Sequence, residues 1–367
     1  MLATTLHSAT WGFYYSFTRW YLIEELRAGA DIVMTLTGLE WAFVGLSPLS
    51  SYLGKTLGER GLIGIASLTA IPLFTGFIVK DPSLLILLLS AGMMPWSLGW
   101  PAVLSSYMNN VRGTLGKEYG YMTSLTGVGY CAGALLSNVV YTRLGSFASF
   151  IVVGALYLAT FALFYLYYPG GSQPTRQKAR TGTETLTLRY LAVFTASFAL
   201  AVATRETLYS RAPVKIIHVV KELSGEENAQ MLYTIVYSVI PAVLSVPVRI
   251  LAGRLVDSAG PLRLYLSTVI GYGIIYFAMM YSGSYIALIV WTIPLYPFLD
   301  TAVTTLLAAK SRENEMTKSM SINILASAIG GLIVALLPHV NIRYGGIDVL
   351  IAVFVALSAV TGIYLRS

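Results

Sequence analysis

Charged residues are scarce in this sequence: only 11% of its 367 residues are Asp, Glu, Lys or Arg. A soluble domain covers its surface with about a quarter of such residues. Apolar residues make up 56% of the chain, and apolar runs of about twenty residues recur from end to end. The shortage of charge therefore excludes an ordinary soluble globule and indicates a chain that is solvated largely by lipid.

Cysteine is nearly absent too, since Cys131 is the single one. One cysteine cannot form a disulfide within the chain or a cysteine metal cage. The three histidines, His7, His218 and His339, lie far apart and lack the spacing of metal ligands. We therefore predict no metal and no cofactor, and the lack of a clustered nucleophile argues against an enzyme.

The apolar runs have the length of membrane-spanning helices. A run of about twenty residues crosses a hydrocarbon layer of about 30 Å, because an α-helix rises about 1.5 Å per residue. The runs do not alternate with polar residues, as strands of a membrane barrel would. The prediction is an all-α integral membrane protein of about twelve transmembrane helices, near 3–26, 32–53, 61–79, 83–107, 118–142, 147–168, 189–213, 229–252, 262–282, 284–308, 318–340 and 347–365.

A polar, basic segment rich in helix-breaking residues, from Pro169 to Gly182, separates the sixth and seventh predicted spans. Such a composition is typical of a flexible linker. The predicted domains are an N-terminal six-helix bundle at residues 1–168, a cytoplasmic linker at 169–188 and a C-terminal six-helix bundle at 189–367.

The two predicted bundles share landmarks at a nearly constant offset, which suggests a duplicated, pseudo-symmetric chain. Parallel repeats of this kind are a known plan of membrane transporters. The pairs at the same offset are Gly54 and Gly253, Gly61 and Gly260, and Pro95 and Pro294.

Basic residues concentrate on one side of the predicted layout. Of 24 basic residues, fifteen, Arg249 among them, fall in the segments of one side, seven in those of the other, and two inside spans. Basic loops stay in the cytoplasm, so we expect a multi-pass protein of the plasma membrane with both termini cytoplasmic. The net charge of +7 then reflects topology and attraction to lipid headgroups, and not nucleic-acid binding.

The loop after the eighth predicted span reads Gly253-Arg-Leu-Val-Asp257-Ser-Ala-Gly260-Pro-Leu-Arg263. Its glycines permit a tight turn between two helices, and Asp257 can accept hydrogen bonds from a helix start or pair with a base. The corresponding loop of the first bundle, residues 54–61, keeps both glycines but has Gly58 where the second copy has Asp257. Glu59 is the candidate substitute.

This pattern resembles the signature of the major facilitator superfamily, in which a glycine is followed by aspartate four residues later, glycine three beyond, and basic residues. The resemblance implies two six-helix bundles with a substrate site between them. It also implies that these loops clamp the bundles together in one state and release them in another. The residues that carry the pattern are Gly54, Arg60, Gly61, Gly253, Arg254, Asp257, Gly260 and Arg263.

Two arginines lie inside predicted spans, Arg19 in the first and Arg205 in the seventh. A charge at the bilayer centre costs about 2.5–3.5 kcal/mol on insertion scales, so each requires a reason. In the family these two helices line the central cavity, and the pair resembles the arrangement in members that carry organic phosphates and organic anions. Guanidinium groups grip such anions bidentately. The alternative is that each arginine reaches the surface or pairs with a carboxylate in the membrane.

Three carboxylates also lie inside predicted spans, and two of them are candidates for proton coupling. Asp300 and Glu40 both fall near mid-membrane, where a desolvated carboxylate can load and release a proton near neutral pH. They are otherwise structural partners of the arginines. Glu206 points about 100° away from Arg205 on a helix and is expected to face a neighbouring helix. With two arginines, three ionised carboxylates would leave the interior at −1.

The sequence therefore predicts a secondary active transporter that works by alternating access and moves a small organic anion with protons. The alternatives are an exporter of amphipathic neutral or cationic compounds, and, from another class, a passive channel or lipid scramblase. The expected partners are a small-molecule substrate, lipids and protons, with the chain as a monomer. Further candidates for substrate contact, on spans that face the cavity in the family, are Tyr15, Trp96, Tyr130 and Asn323.

Overall fold

The computed structural model describes residues 2–109, 114–168, 187–311, 316–340 and 346–366. Within these ranges the chain is helical and contains no strand, which confirms the predicted fold class. The predicted linker, apart from Thr187 and Leu188, lies outside the described residues. The helices are α1 (Leu2–Glu24), α2 (Ala30–Ala42), α3 (Leu49–Ala66), α4 (Ala70–Thr75), α5 (Pro82–Ala91), α6 (Met93–Asn109), α7 (Leu115–Tyr167), α8 (Leu188–Thr234), α9 (Ile240–Ala259), α10 (Pro261–Tyr281), α11 (Ser284–Trp291), α12 (Tyr296–Lys310), α13 (Met316–Leu336) and α14 (Gly346–Ile363).

Eight helical stretches of the described chain are long and apolar enough to cross a membrane. Two of them each cover two predicted spans: Leu115–Tyr167 has 53 residues and Leu188–Ala259 has 72. Inside them the helical backbone is interrupted at Gly145 (φ 81°) and Gly225 (φ 70°). Both glycines lie where the sequence predicts a loop. Glycine allows the chain to turn at these positions because it adopts a positive φ without strain.

The apolar helices expose much of their surface. In α14 only 17% of the most apolar window is buried by the rest of the protein, and Val353, Leu357 and Val360 are exposed. Apolar surface on this scale is solvated by lipid in a helical membrane protein, whose backbone polar groups are already paired within each helix.

Two main apolar cores hold the helices together. One is formed mainly by residues between positions 13 and 161, Phe13 and Phe150 among them. The other is formed mainly by residues between 190 and 365. A small cluster of Met34, Ala203, Val334 and Leu337 joins helices of both groups. The cores follow the two predicted bundles, whose limits at 168 and 189 stay a prediction.

The two groups of helices approach most closely where glycines face each other. On α7 and α9, a Cβ atom added to Gly253 would lie 2.3 Å from the carbonyl oxygen of Gly116. On α2 and α13, a Cβ atom added to Gly331 would lie 2.7 Å from the carbonyl oxygen of Gly38. Only residues without a side chain permit such backbone contact between helices in lipid.

The seventh predicted span is longer than the sequence suggested. We predicted that it ends at Pro213, but the helix continues to Ser224 before the break at Gly225. The basic residues that indicated a membrane surface are Arg211, Lys215 and Lys221, and each is bound by a neighbouring helix. Lys215 Nζ, for example, donates to the carbonyl oxygens of Met279 (2.7 Å) and Ser282 (3.0 Å). Their charges are satisfied without a helix end.

Candidate functional site

Two adjoining cavities lie between the two groups of helices. The larger, of about 330 Å³, is here called the wide cavity, and the smaller, of about 250 Å³, the narrow cavity. Seven residues line both and therefore form the zone where they meet: Ser8, Tyr15, Trp41, Tyr130, Arg205, Arg249 and Tyr296.

Every residue that the sequence singled out for substrate contact or proton coupling lines one or both cavities. Their positions agree with a shared site, while the role of each stays a prediction. The residues are Tyr15, Arg19, Glu40, Trp96, Tyr130, Arg205, Asp300 and Asn323.

Arg19 and Glu40 form a bidentate ion pair that is almost completely buried. Nη2 and Nη1 of Arg19 donate to the two carboxylate oxygens of Glu40 at 2.5 and 3.0 Å, and the side chains are 1% and 2% exposed. Tyr14 donates a further hydrogen bond to Glu40 at 2.5 Å. The guanidinium lies 4.3 Å from the ring centroid of Tyr15. With two guanidinium bonds and one tyrosine bond to Glu40, this is the most extensively hydrogen-bonded ion pair of the site. Removing either charge would leave the other buried and uncompensated.

Arg205 pairs with its neighbour in sequence, and our expectation for Glu206 was wrong. Nε of Arg205 donates to Glu206 at 2.6 Å, and both line the narrow cavity. The arginine stem is long enough to fold back across the angle that separates adjacent residues on a helix. Nη2 of Arg205 is buried and has no hydrogen-bond partner among the described residues, while the guanidinium lies 5.2 Å from the ring centroid of Trp41.

Arg249, which was predicted to lie among the basic residues of the inner segments, lies at the cavities instead. It is 93% buried, since its relative exposure is 7%, and it lines both cavities. Its Nη1 lies 3.7 Å from Oδ2 of Asp300, whose side chain is 40% exposed. Its Nε has no partner in the part of the chain that the structure describes. The position falls within the predicted span 229–252, so counting it as an intramembrane charge would have found it.

The charges that line the cavities balance. The arginines are Arg19, Arg205 and Arg249, and the carboxylates are Glu40, Glu206 and Asp300. The predicted interior charge of −1 was wrong because Arg249 also lines the cavities. With all six ionised, the described lining carries no net charge, so a solute that brings a charge needs a compensating ion.

One face of α1 supplies a column of cavity residues at intervals of four: His7, Trp11, Tyr15 and Arg19. Residues four apart lie on the same side of a helix. Only the last two were predicted to contact substrate, although the same spacing, extended toward the N-terminus, would have found the others. The aromatic members of this column line the wide cavity and, together with Trp96 and Trp100, give it an aromatic wall.

The loop that contains Asp257 joins the two groups of helices at one end of the cavities. Asp257 accepts hydrogen bonds from Thr114 Oγ1 (2.6 Å) and from the backbone N–H groups of Gly116 (3.2 Å) and Lys117 (2.9 Å). Its carboxylate therefore caps the first turn of α7, where the helix dipole favours a negative charge. Gly260 makes the turn with φ 87°, and Arg254 and Arg263 are exposed.

In the first-half loop the turn lies three residues earlier than in the pattern. Gly58 has the positive φ of 70°, while Gly54 and Gly61 stay in α3. Glu59, the candidate substitute for the missing aspartate, accepts a hydrogen bond from Thr317 at the start of α13 (3.3 Å) and another from Tyr168. Burial and this carboxylate raise the pKa of Tyr168, so the phenol stays protonated and donates.

Arg60 holds this loop to the end of α7. Its Nε donates to the carbonyl oxygen of Tyr165 at 2.8 Å, and its guanidinium lies 4.8 Å from that residue's ring centroid. The contact lies within the first predicted bundle, so Arg60 positions the loop and does not bridge the bundles.

Contacts between the halves also occur at the opposite end of the cavities. Lys221 Nζ on α8 lies 2.6 Å from Glu24, the last residue of α1. Deeper in the protein, the hydroxyl oxygens of Ser16 and Ser238 lie 2.6 Å apart. The halves are thus bonded at both ends in this structure.

Comparison with solved structures shows the same fold in several transporters. The nucleoside transporter NupG matches with a TM-score of 0.67 and 14% identity over 100% of this chain and 96% of that chain. A bacterial homologue of the iron transporter ferroportin, in an outward-facing state, matches with a TM-score of 0.63 and 16% identity over 100% and 97%. A POT family transporter in complex with a thioalcohol-conjugated peptide matches with 0.65 and 10% over 99% and 94%.

At these identities the likeness extends to the fold and not to the substrate. No curated protein matches the chain. The sequence profile of the Major Facilitator Superfamily matches residues 1–335. Because that match covers most of the sequence, the chain belongs to the major facilitator superfamily of multi-pass membrane transporters.

Proposed function

We propose that this protein is a secondary active transporter that moves a small organic anion together with a proton. The observation that carries the proposal is the pair Arg205 and Arg249. Both line the two cavities, and each has a buried guanidinium nitrogen without a partner among the described residues. A buried unsatisfied donor is costly, and a carboxylate or phosphate oxygen is its strongest partner.

Asp300 is the proposed proton carrier. Its distance of 3.7 Å from Arg249 makes this the loosest of the three cavity ion pairs, and its side chain is 40% exposed. Glu40, the other candidate, is held by two guanidinium bonds and a tyrosine, so it is less free than Asp300 to exchange partners. A proton on Asp300 would release Arg249 for the anion and return the loaded site to zero net charge.

The proposed transport cycle is alternating access. The halves, residues 1–168 and 189–367, rock about the cavities, and the linker at 169–188 connects them in the cytoplasm. The Asp257 loop bonds the halves on the cytoplasmic side in the state described here. We further propose that the protein acts as a monomer in the plasma membrane with both termini inside.

A neutral polar solute is the second candidate. The balanced charge of the six ionisable lining residues supports it, since a neutral solute would need no compensating ion. One structural relative is a nucleoside transporter, which is compatible with this alternative. The two candidates differ in whether solute entry moves protons.

The test uses proteoliposomes that contain a pH-sensitive dye. Benzenesulfonate and phenyl phosphate, which do not cross lipid readily, are added outside, and uridine serves as the neutral solute. We expect the anions to acidify the lumen, with saturation, and uridine to leave its pH unchanged. Uptake of radiolabelled uridine without a change of lumenal pH, together with no pH response to either anion, would refute the anion proposal. Non-saturating flux that ignores the pH gradient would indicate a channel.

A matched pair of variants assigns the response to the cavity. Arg205→Gln/Glu206→Gln removes one ion pair without leaving a lone charge, and we expect it to abolish anion-driven acidification. Arg211→Gln/Asp348→Asn removes a pair at 3.0 Å that lines neither cavity, and it should leave the response intact.

A further inference from the structure

The wide cavity contains three buried polar atoms for which the described chain supplies no partner. They are Nδ1 of His7, Nε1 of Trp96 and Oδ1 of Asn323. All three residues line this cavity, and His7 and Trp96 are each only 5% exposed. Buried polar side-chain atoms in native proteins are nearly always paired. Three unpaired atoms on one cavity therefore point to a ligand that supplies the missing partners.

The hydrogen-bonding character of each atom follows from its chemistry. The indole N–H of Trp96 can only donate, and a side-chain carbonyl oxygen such as that of Asn323 can only accept. His7 accepts a hydrogen bond from Trp11 at Nε2, at 3.0 Å, so that nitrogen carries no proton. The ring proton of His7 is therefore on Nδ1, which donates. The cavity thus offers two N–H donors and one carbonyl acceptor.

The same residues belong to an aromatic wall. The His7 ring lies over Trp100 with centroids 4.3 Å apart and planes 28° apart. Trp96 and Trp100 are stacked at 5.5 Å and 19°. Flat π surfaces favour an aromatic partner in a stacked or edge-on arrangement. Apolar walls with a few polar groups are typical of small-molecule sites that fix a ring's orientation.

We propose that the wide cavity binds a planar nitrogen heterocycle whose edge carries a carbonyl acceptor beside an N–H donor, with its anionic group toward Arg205 and Arg249. The carbonyl accepts from the donors of His7 and Trp96, and the ring N–H donates to Asn323. This inference rests on the proposed anion transport and names its substrate class: heteroaromatic carboxylic acids.

Three carboxylates that share the anionic group and differ in the ring test the proposal by calorimetric titration of the purified protein. The first is 6-hydroxynicotinate, which in water carries a ring N–H beside a carbonyl; the second is benzoate; the third is cyclohexanecarboxylate. We expect 6-hydroxynicotinate to bind at least about tenfold tighter than benzoate, because one net hydrogen bond strengthens binding by about that factor. Benzoate should bind about twofold to tenfold tighter than the saturated ring.

The variant Trp96→Phe keeps an aromatic ring but removes the donor. We expect it to weaken 6-hydroxynicotinate by about tenfold and benzoate by no more than about twofold, because an aromatic ring remains. Retained benzoate binding also shows that the protein is folded. Trp20→Phe, at a tryptophan that lines neither cavity, should change neither affinity.

The outcomes separate this inference from the function on which it rests. Equal affinities for all three compounds, with loss of binding in Arg205→Gln/Glu206→Gln, would overturn the heterocycle site and leave the anion site standing. A preference for 6-hydroxynicotinate that survives Trp96→Phe would also overturn the assignment. Binding of none of the three would refute the anion proposal itself.

Discussion

The hydroxyl of Tyr119 on α7 donates a hydrogen bond to Oδ2 of Asp300 on α12, at 3.0 Å. The bond joins the two halves at the wall of the wide cavity, and the same oxygen faces Arg249. Tyr119 lies next to Gly120, whose helix contacts the backbone of Arg249, and two residues after Lys117, which donates to Asp257. Asp300, the proposed proton carrier, therefore lies beside the contact between α7 and α9.

The variant Asp300→Asn tests this proposed role. The amide can still accept from Tyr119 but cannot carry a proton, so we expect proton-driven accumulation to fall by about tenfold or more while solute exchange without a gradient continues. Both rates are measured in proteoliposomes. Asp300→Glu should restore part of the coupling, and Asp348→Asn, outside both cavities, should change neither rate. Undiminished accumulation in Asp300→Asn would assign the proton to another group.

The variant Arg19→Gln tests the structural role of the tightest ion pair. It leaves Glu40 buried without a counter-charge, and breaking such a pair typically lowers the free energy of unfolding by about 3–5 kcal/mol. Denaturant titration in mixed micelles measures the loss. Arg19→Gln/Glu40→Gln should recover most of it. If the single variant is as stable as the double variant, the pair is not a structural element, and Arg19 is free for ligand.

The variant Asp257→Ala tests the contact between the halves at the α7 end. It removes three hydrogen bonds to a carboxylate that is exposed to solvent, where each is weakened by screening, so we expect the equilibrium to shift toward separated helices by about tenfold. The substitutions Ser124→Cys and Cys131→Ala place one thiol on the face of α7 that packs on α9. We expect Asp257→Ala to accelerate its reaction with a maleimide. Glu59→Gln should have a smaller effect, because Glu59 reaches across the halves only to Thr317 at 3.3 Å.

The variant Gly253→Ala tests the close packing itself. The added Cβ would meet the carbonyl oxygen of Gly116 at 2.3 Å, so the helices must separate. We expect the thiol at position 124 to react faster and the initial transport rate to fall by about tenfold, since the closed form is needed in every cycle. Gly283→Ala is the matched control, since nothing lies within 4 Å of its Cβ. A normal rate in Gly253→Ala would show that this contact is not needed for transport.

Much of this fold could be predicted because lipid solvation leaves a plain signal: runs of apolar residues with charges and glycines at their ends. Hydropathy does not indicate, however, whether a polar residue near a helix end faces lipid headgroups or another helix. Arg249 and Lys215 were misplaced for that reason, since both are bound by protein. Glycine spacing located the first-half turn only approximately, because Gly58 and Gly61 are both able to adopt a positive φ.

The candidate site was predicted at the level of residues but not of partners. Arg19, Arg205 and Asp300 were found because an intramembrane charge is conspicuous in sequence. The pairing of Arg205 with Glu206 depends on side-chain conformation, which spacing on an ideal helix does not determine. The pairing of Arg249 with Asp300 depends on how α9 packs on α12, and no local pattern encodes it.

The bonds of Asp257 at one end of the cavities and of Lys221 at the other act in series. In the proposed cycle a solute enters when one set opens, whereas a continuous pore needs both sets open at once. Since free energies add, the probability of that event is roughly the product of two small numbers. In the proposed cycle the protein therefore stays impermeable to protons and small ions, although each mouth opens in turn.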